Sequence, residues 1–137
     1  MTISTTGLRP IGTGINVFES DEVVEGRILF LDSPLEVLDF VDGDQVDSTI
    51  IISRGGTTTF MAPALAAGVR GLITLQGSPE SHLGIVSREF GIPCVMSVSF
   101  SEGVQTVRGE TIPPDGTLVR LDVSPTPDGR VLLIEEV

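Results

Sequence analysis

The chain has 137 residues, of which 40% are hydrophobic and only 4% aromatic, with neither Trp nor Tyr. This length fits one compact domain, and a core of Val, Ile, Leu and Ala with six Phe suits buried strands. All eight basic residues are arginines, and a formal net charge of −11 repels nucleic acid and anionic membrane surfaces. No apolar run is long enough to span a bilayer, so we expect a soluble, cytoplasmic protein.

The chain shows no repeat and no linker that would divide it. We therefore expect a single domain over residues 1–137, with residues 1–10 loosely held. Cys94 is the only cysteine and lies within an apolar run, which excludes an internal disulfide and predicts a buried thiol.

The first half of the chain is predicted to form strands around a short helix. Residues 26–31 and 48–52 are apolar and β-branched runs, which favour strands. Between them, Ser33 can cap a short helix that has Pro34 at its first position.

The pattern then alternates between helix and strand. An Ala-rich helix with Pro63 in its first turn should stop at Gly68, and residues 69–75 read as a strand. After a turn at Gly77, a second helix should run from Ser78 to about Phe90, with Leu83, Val86 and Phe90 on its buried face and Gly91 as its stop. Residues 92–98 form the next strand. This order predicts right-handed crossovers and a parallel sheet.

The remaining residues, with predicted strands at 117–123 and 130–134, read as antiparallel β structure joined by turns. The predicted class is therefore α/β with a mixed set of strands.

His82 is the only histidine, and it falls in the first turn of the helix that begins near Ser78. Free backbone N–H groups and the helix dipole disfavour an imidazolium there and keep the ring neutral and nucleophilic. A structural role at a well-capped helix start is the alternative. Ser81 and His82 do not form a nucleophile and base pair, because helix neighbours point about 100° apart. A zinc site lacks ligands, so no metal is expected.

A second polar cluster, Arg54-Gly55-Gly56, follows a predicted strand. Its glycines and single arginine are typical of a loop that contacts an anion, although the lysine and spacing of a P-loop are absent. A tight turn that caps the following helix is the alternative.

Residues 81–95, SHLGIVSREFGIPCV, resemble the signature of the phosphohistidine (swivelling, or mobile) domain of phosphoenolpyruvate-utilising enzymes. Weaker similarity extends to residues 24–28 and 109–130. The resemblance implies a three-layer β/β/α domain with a parallel central sheet and a second antiparallel β layer.

The same resemblance implies a role for individual residues. His82 matches the histidine that is transiently phosphorylated from ATP or phosphoenolpyruvate and passes the group to a partner site. Gly77, Ser78 and Ser81 match positions that contact the phosphoryl group. Glu80 stands where the family usually has Thr, and its charge opposes a dianion. Arg88 and Glu89 match an Arg-Glu pair, for which a surface ion pair or helix packing is expected.

The resemblance implies that this chain is the phosphohistidine-bearing part, free-standing or cut from a larger enzyme, of a dikinase-like or phosphoenolpyruvate synthase-like phosphotransferase, and not a complete enzyme. Nucleotide-binding and substrate-binding partners would then hold Mg²⁺ with ATP or phosphoenolpyruvate, and this chain would bind no cofactor. A non-catalytic binding or assembly module with the same fold is the alternative. The small subunit of a hydro-lyase is a third reading, against which the Ser-His and Gly-Ile-Pro run argues.

Overall fold

The computed structural model describes residues 8–22, 24–54, 58–77, 82–124 and 128–134, and for residues 58–60 and 82 it describes the backbone only. Three helices lie in these ranges: α1 (Pro34–Val41), α2 (Thr58–Ala66) and α3 (His82–Glu89). The strands are β1 (Leu8–Asn16), β2 (Val24–Phe30), β3 (Thr49–Ser53), β4 (Gly71–Thr74), β5 (Cys94–Phe100), β6 (Val104–Gln105), β7 (Thr111–Ile112), β8 (Leu118–Asp122) and β9 (Asp128–Ile134). A 3₁₀ turn, Val46–Ser48, precedes β3.

Four consecutive strands, β2, β3, β4 and β5, form a parallel sheet whose connections are α1, α2 and α3. Ile28 pairs with Ile50, and Ile51 pairs with Leu72. All five residues of β3 and all four of β4 are buried, as expected for strands covered on both faces. The predicted alternation of strand and helix with parallel pairing is therefore confirmed.

The antiparallel strands close this sheet into a barrel. The order is β1-β5-β4-β3-β2-β8-β9, and β9 pairs in turn with β1. β6 and β7 form a separate two-stranded ladder. The predicted α/β class with mixed pairing is confirmed. The second β layer is not a separate sheet, because β8, β9 and β1 continue the hydrogen bonding of the parallel strands.

Two hydrophobic cores follow from this arrangement. One contains Ile28, Ile52 and Val95 from the parallel strands together with Leu121 and Val131 from the antiparallel ones. The other packs the opposite face of the parallel strands against the helices and includes Val37, Met61, Leu83, Ile51 and Leu72. Alternate residues of β3 thus point into different cores, which is the period-two pattern of a strand.

The helix ends are formed by the residues that the sequence indicated. Ser33 Oγ accepts a hydrogen bond from the Glu36 N–H and caps α1. Gly68 and Gly91 have φ of +87° and +68°. After each glycine, the next N–H reaches back to a helix carbonyl, Val69 to Ala64 and Ile92 to Ser87. This is the Schellman ending, in which glycine takes the left-handed position.

Three expectations from the sequence were wrong in part. Residues 8–10 are not loose, since they begin β1 and pair with β9, whereas residues 1–7 lie outside the described part of the chain. Pro63 is the sixth residue of α2 and not in its first turn, because the helix already begins at Thr58. Phe90 is 50% exposed, because it follows the last residue of α3 where the chain turns at Gly91.

Candidate functional site

The candidate site lies where the parallel strands end at their carboxyl edge. β4 ends at Thr74, and the next described helix, α3, begins at His82. On the neighbouring strand β3, Ser53 pairs with Thr74, which brings Arg54 alongside Leu75 at this edge. The carboxyl edge of parallel strands is where α/β proteins usually bind ligands. Of His82, only the backbone is described.

Several predicted site residues lie outside the described part of the chain. They are Ser78, Glu80 and Ser81 before α3, and Gly55 and Gly56 after Arg54. Gly77 is described, and its φ of +105° agrees with the predicted glycine turn. A contact between these residues and a phosphoryl group stays a prediction.

Two hydroxyl groups hold the loop that leads towards His82. Thr74 is fully buried, and its Oγ1 donates to the Gln76 carbonyl at 2.7 Å. Ser97 on β5 donates from Oγ to the Gly77 carbonyl at 2.6 Å. Reasoning from sequence missed both residues, since a hydroxyl within an apolar strand gives no sign of which loop it will contact.

Arg54 is held by two carboxylates. Its Nε donates to Glu110 at 2.8 Å, its Nη1 pairs with Asp32, and its guanidinium lies 5.1 Å from the ring centre of Phe30. The Asp32 carboxylate raises the pKa of Arg54, although burial opposes this. Burial alone would raise the pKa of Glu110, but hydrogen bonds from Thr106 and Arg54 outweigh it and hold that pKa below its ordinary value.

These ion pairs bear on the predicted anion contact. The side chain of Arg54 is only 8% exposed, and its charge is balanced by Asp32 and Glu110. An anion would have to compete with both carboxylates, so anion contact by Arg54 stays a prediction that the local charges oppose.

A cleft of about 430 Å³ opens beside Arg54, lined by residues that follow β2 and by the segment between β6 and β8. Its acidic lining residues, Asp32, Glu36 and Asp115, outnumber the one arginine. Phe30, Val104 and Val107 give it apolar walls. The cleft is therefore suited to neutral or cationic groups better than to phosphate.

The helix that begins at His82 is anchored along its length. Leu83 is buried against the parallel strands, and the buried Ser87 donates from Oγ to the Gly84 carbonyl at 2.9 Å. Arg88 donates from Nη2 to the Val17 carbonyl at 3.1 Å. This hydrogen bond joins α3 to the segment that follows β1, while the expected role of Arg88 in an ion pair or in helix packing stays a prediction. Glu89 is exposed.

Cys94 begins β5 and is fully buried, as predicted. Burial raises the pKa of its thiol to about 12, although a hydrogen bond with Ser87 opposes the shift. A thiol that stays protonated at neutral pH is a poor nucleophile. The residue therefore belongs to the core.

Within the described ranges, no group of three or more His, Cys, Asp or Glu side chains could hold a metal ion. In the same residues, the helices are all too short or too polar to cross a membrane.

Comparison with known proteins adds a family and a fold. The model of the family described as PEP-utilising enzyme, mobile domain, matches residues 46–124, which is more than half of the chain. Rifampicin phosphotransferase from Bacillus subtilis (strain 168) is 29% identical over 92 residues, covering 65% of this chain and 9% of that protein. Muramoyltetrapeptide carboxypeptidase from Oxalobacter formigenes superposes with a TM-score of 0.51 over 96% of this chain and 52% of its own, at 9% identity. At that identity the likeness shows a shared fold alone.

The matched range runs from the turn before β3 to the end of β8 and includes Arg54, Gly77, His82 and Ser97. The chain belongs to the family of mobile domains of PEP-utilising enzymes.

Proposed function

We propose that this chain is a phosphoryl carrier in which His82 is transiently phosphorylated and passes the group to a partner site. The observation that carries the proposal is the position of the only histidine, at the start of α3 within the range matched by the mobile-domain family. A named relative, the Bacillus subtilis protein, is a phosphotransferase. The proposal is supported by the anchoring of α3 through Arg88 and by the hydrogen bonds that hold the Gln76 and Gly77 carbonyls.

The proposed chemistry depends on the position of His82 at the start of α3. Neutral imidazole attacks phosphorus with its lone pair, so that an N–P bond forms while the P–O bond to the donor's leaving group breaks. The electron pair of that bond leaves with the donor oxygen. Unpaired backbone N–H groups and the helix dipole favour the negative charge brought by the phosphoryl group.

Partners are part of the proposal. Nucleotide-binding and substrate-binding domains or subunits would supply Mg²⁺ with ATP or phosphoenolpyruvate, and the phosphorylated domain would move between them. This chain covers 9% of the length of rifampicin phosphotransferase, which leaves room in that protein for such parts. We also propose that residues 1–137 form a single domain.

The three-layer β/β/α description also belongs to the proposal. Its support is the pair of cores, one enclosed by the barrel and one between the parallel strands and the helices. In that description the barrel supplies two β layers and the helices supply the third.

A non-catalytic binding module is the second candidate, and one surface favours it. Leu35 and Leu38 on α1 are 73% and 50% exposed, and they lie three residues apart on one side of the helix. Exposed leucines at this spacing are suited to docking on another protein. Glu80, in place of the family's usual Thr, favours this reading because its charge opposes a phosphoryl dianion.

Phosphorylation with a labelled donor separates the two candidates. The protein is incubated with a nucleotide-binding partner, Mg²⁺ and labelled ATP, and separately with labelled phosphoenolpyruvate and its binding partner. We expect label that is labile in acid, stable in alkali and absent from His82→Ala. The exposed Thr13→Ala variant is the control and should label like the wild type. An unlabelled wild type with an active partner, or a labelled His82→Ala, would refute the carrier proposal.

A further inference from the structure

Ser97 has a backbone conformation that its residue type disfavours. Its φ of +54° makes it the only non-glycine residue with a positive φ among those that the structure describes. It lies in the middle of β5, where extended backbone is the rule. A side chain crowds the backbone in the left-handed region, so the surrounding structure must hold this residue in place.

The cause is a β-bulge between β1 and β5. Thr13 pairs with Ser99 and Ile15 pairs with Met96, so that only Gly14 lies opposite both Ser97 and Val98. Gly14 makes the bulge possible, because a Cβ at this position would overlap the Met96 carbonyl oxygen. Bulges redirect individual side chains, and this one redirects that of Ser97.

The redirected hydroxyl contacts the loop before α3. Ser97 Oγ lies 2.6 Å from the Gly77 carbonyl oxygen, across twenty residues of sequence. The preceding carbonyl, that of Gln76, accepts from the buried Thr74 hydroxyl. Two successive peptide units are therefore fixed by side chains from β4 and β5. Because a trans peptide is planar, fixing these carbonyls also fixes the orientation of the peptide groups that follow Gln76 and Gly77.

We propose that Ser97 is a positioning residue for the phosphorylation of His82. Its hydroxyl holds the Gly77 carbonyl, five residues before His82, and thereby fixes the point from which the chain continues to the acceptor. The strained conformation of Ser97 is maintained because it aims this hydroxyl. This inference rests on the proposed function.

Two substitutions separate the hydroxyl from the backbone. Ser97→Gly removes the hydroxyl and relieves the left-handed strain, whereas Ser97→Ala removes the hydroxyl and keeps the strain. We expect the rate of His82 phosphorylation at saturating donor to fall about tenfold in both variants, as is typical when an acceptor is slightly misplaced. The thermal midpoint of Ser97→Gly should equal or exceed that of the wild type. A loss of rate without a loss of stability distinguishes positioning from a merely structural role.

The matched control is Ser101→Ala. The Ser101 hydroxyl also donates to a backbone carbonyl, that of Ile11. Ser101 follows the end of β5, however, whereas Gly77 precedes its start. Its removal should leave the phosphorylation rate within about twofold of the wild type.

The outcomes distinguish this inference from the proposed function. An unlabelled wild type with an active partner removes both. A labelled wild type together with an unchanged rate in Ser97→Gly removes the role of Ser97 alone. If the phosphorylation rate of Ser97→Gly falls only in proportion to the fraction of folded protein, the role of Ser97 is merely structural. That result too would overturn the inference.

Discussion

At the level of residues, the polar side chains at the carboxyl edge of the sheet have two different kinds of contact. Thr74 and Ser97 donate to carbonyls of the loop before α3, so their hydroxyls determine a backbone path. Arg54, by contrast, is occupied by Asp32 and Glu110. The anion contact predicted at Arg54 is therefore opposed by carboxylates of the protein itself, whereas the carbonyls of residues 76 and 77, which precede the predicted acceptor His82, are held by hydrogen bonds.

Cys94 gives a prediction on pH dependence. Its pKa is about 12 in the folded protein against an ordinary value of 9.0, so between these values the folded state binds more protons than the unfolded state. The contribution to stability is therefore complete below pH 9 and is lost as the pH rises towards 12. The loss reaches at most about 1.4 kcal/mol per pH unit.

The composition makes this measurement clean. The chain has neither Lys nor Tyr, so Cys94 is the only side chain whose ordinary pKa lies between 8 and 12. Urea unfolding at pH 8 and pH 10.5 should show the wild type losing stability relative to Cys94→Ala. Parallel pH profiles for the two proteins would mean that the thiol is not shielded as the structure indicates.

At the level of elements, local chemistry predicted the starts and stops of helices but not every strand. Ser33 and the glycines at 68 and 91 act through their own backbone neighbourhood, and the sequence identified all three. β1 went unpredicted because Pro10, Gly12 and Gly14 are poor strand residues by propensity. Its strand form depends on pairing with β5 and β9, which are more than 75 residues away in the chain.

The same distinction applies to the site. The position of His82 at a helix start follows from nearby residues and could be predicted. The bulge that turns Ser97 towards Gly77 depends on how β1 lies against β5, and nothing near Ser97 in the sequence indicates it. The partners of Arg54 likewise come from the ends of other elements, since Glu110 follows it by 56 residues.

Glycine substitutions test the described geometry of the helix ends and of the bulge between β1 and β5. In Gly68→Ala and Gly91→Ala the new Cβ meets no atom within 4 Å, so only the left-handed backbone is penalised. We expect each to lower the free energy of unfolding by about 1 kcal/mol. Gly14→Ala should cost more, at least about 2 kcal/mol, because its Cβ would collide with β5 at the bulge.

Denaturant unfolding of the three variants gives the comparison directly. Equal losses of unfolding free energy in Gly14→Ala and Gly91→Ala would contradict the close approach of β1 and β5. Since Gly14 lies opposite Ser97, its variant should also disturb the hydrogen bond to Gly77, which the two helix-end variants should leave intact.

At the level of the whole molecule, closure of the barrel joins the two halves of the fold. β1 pairs with β5 on one side and β9 on the other, so the parallel half and the antiparallel half share one ladder. Along the residues that pair with both neighbours, β1 therefore has no open edge. A closed ladder of this kind suits the proposed carrier, because its acceptor must arrive at each partner in the same geometry.

The charge of the whole molecule opposes that compact form. Nineteen acidic residues face eight arginines, and the resulting net charge of −11 is self-repelling. The ion pairs Arg9–Glu102, Arg120–Glu25 and Arg130–Asp122 are partly exposed, and pairs of this kind contribute about 0–1 kcal/mol each. Repulsion among the excess carboxylates should therefore outweigh attraction within these pairs.

Salt should consequently stabilise the protein. Raising NaCl from 20 to 300 mM shortens the screening length from roughly 20 Å to roughly 6 Å, which weakens repulsion across the surface more than attraction within a contact pair. We expect Tm to rise by about 2–5 °C.

The double variant Asp39→Asn, Asp42→Asn removes two exposed carboxylates near the end of α1, where the helix dipole also disfavours them. It should be more stable than the wild type at low salt and should gain less from added salt. A Tm that falls with salt in the wild type would mean that the arginine pairs, and not the excess of carboxylates, dominate the electrostatics of this domain.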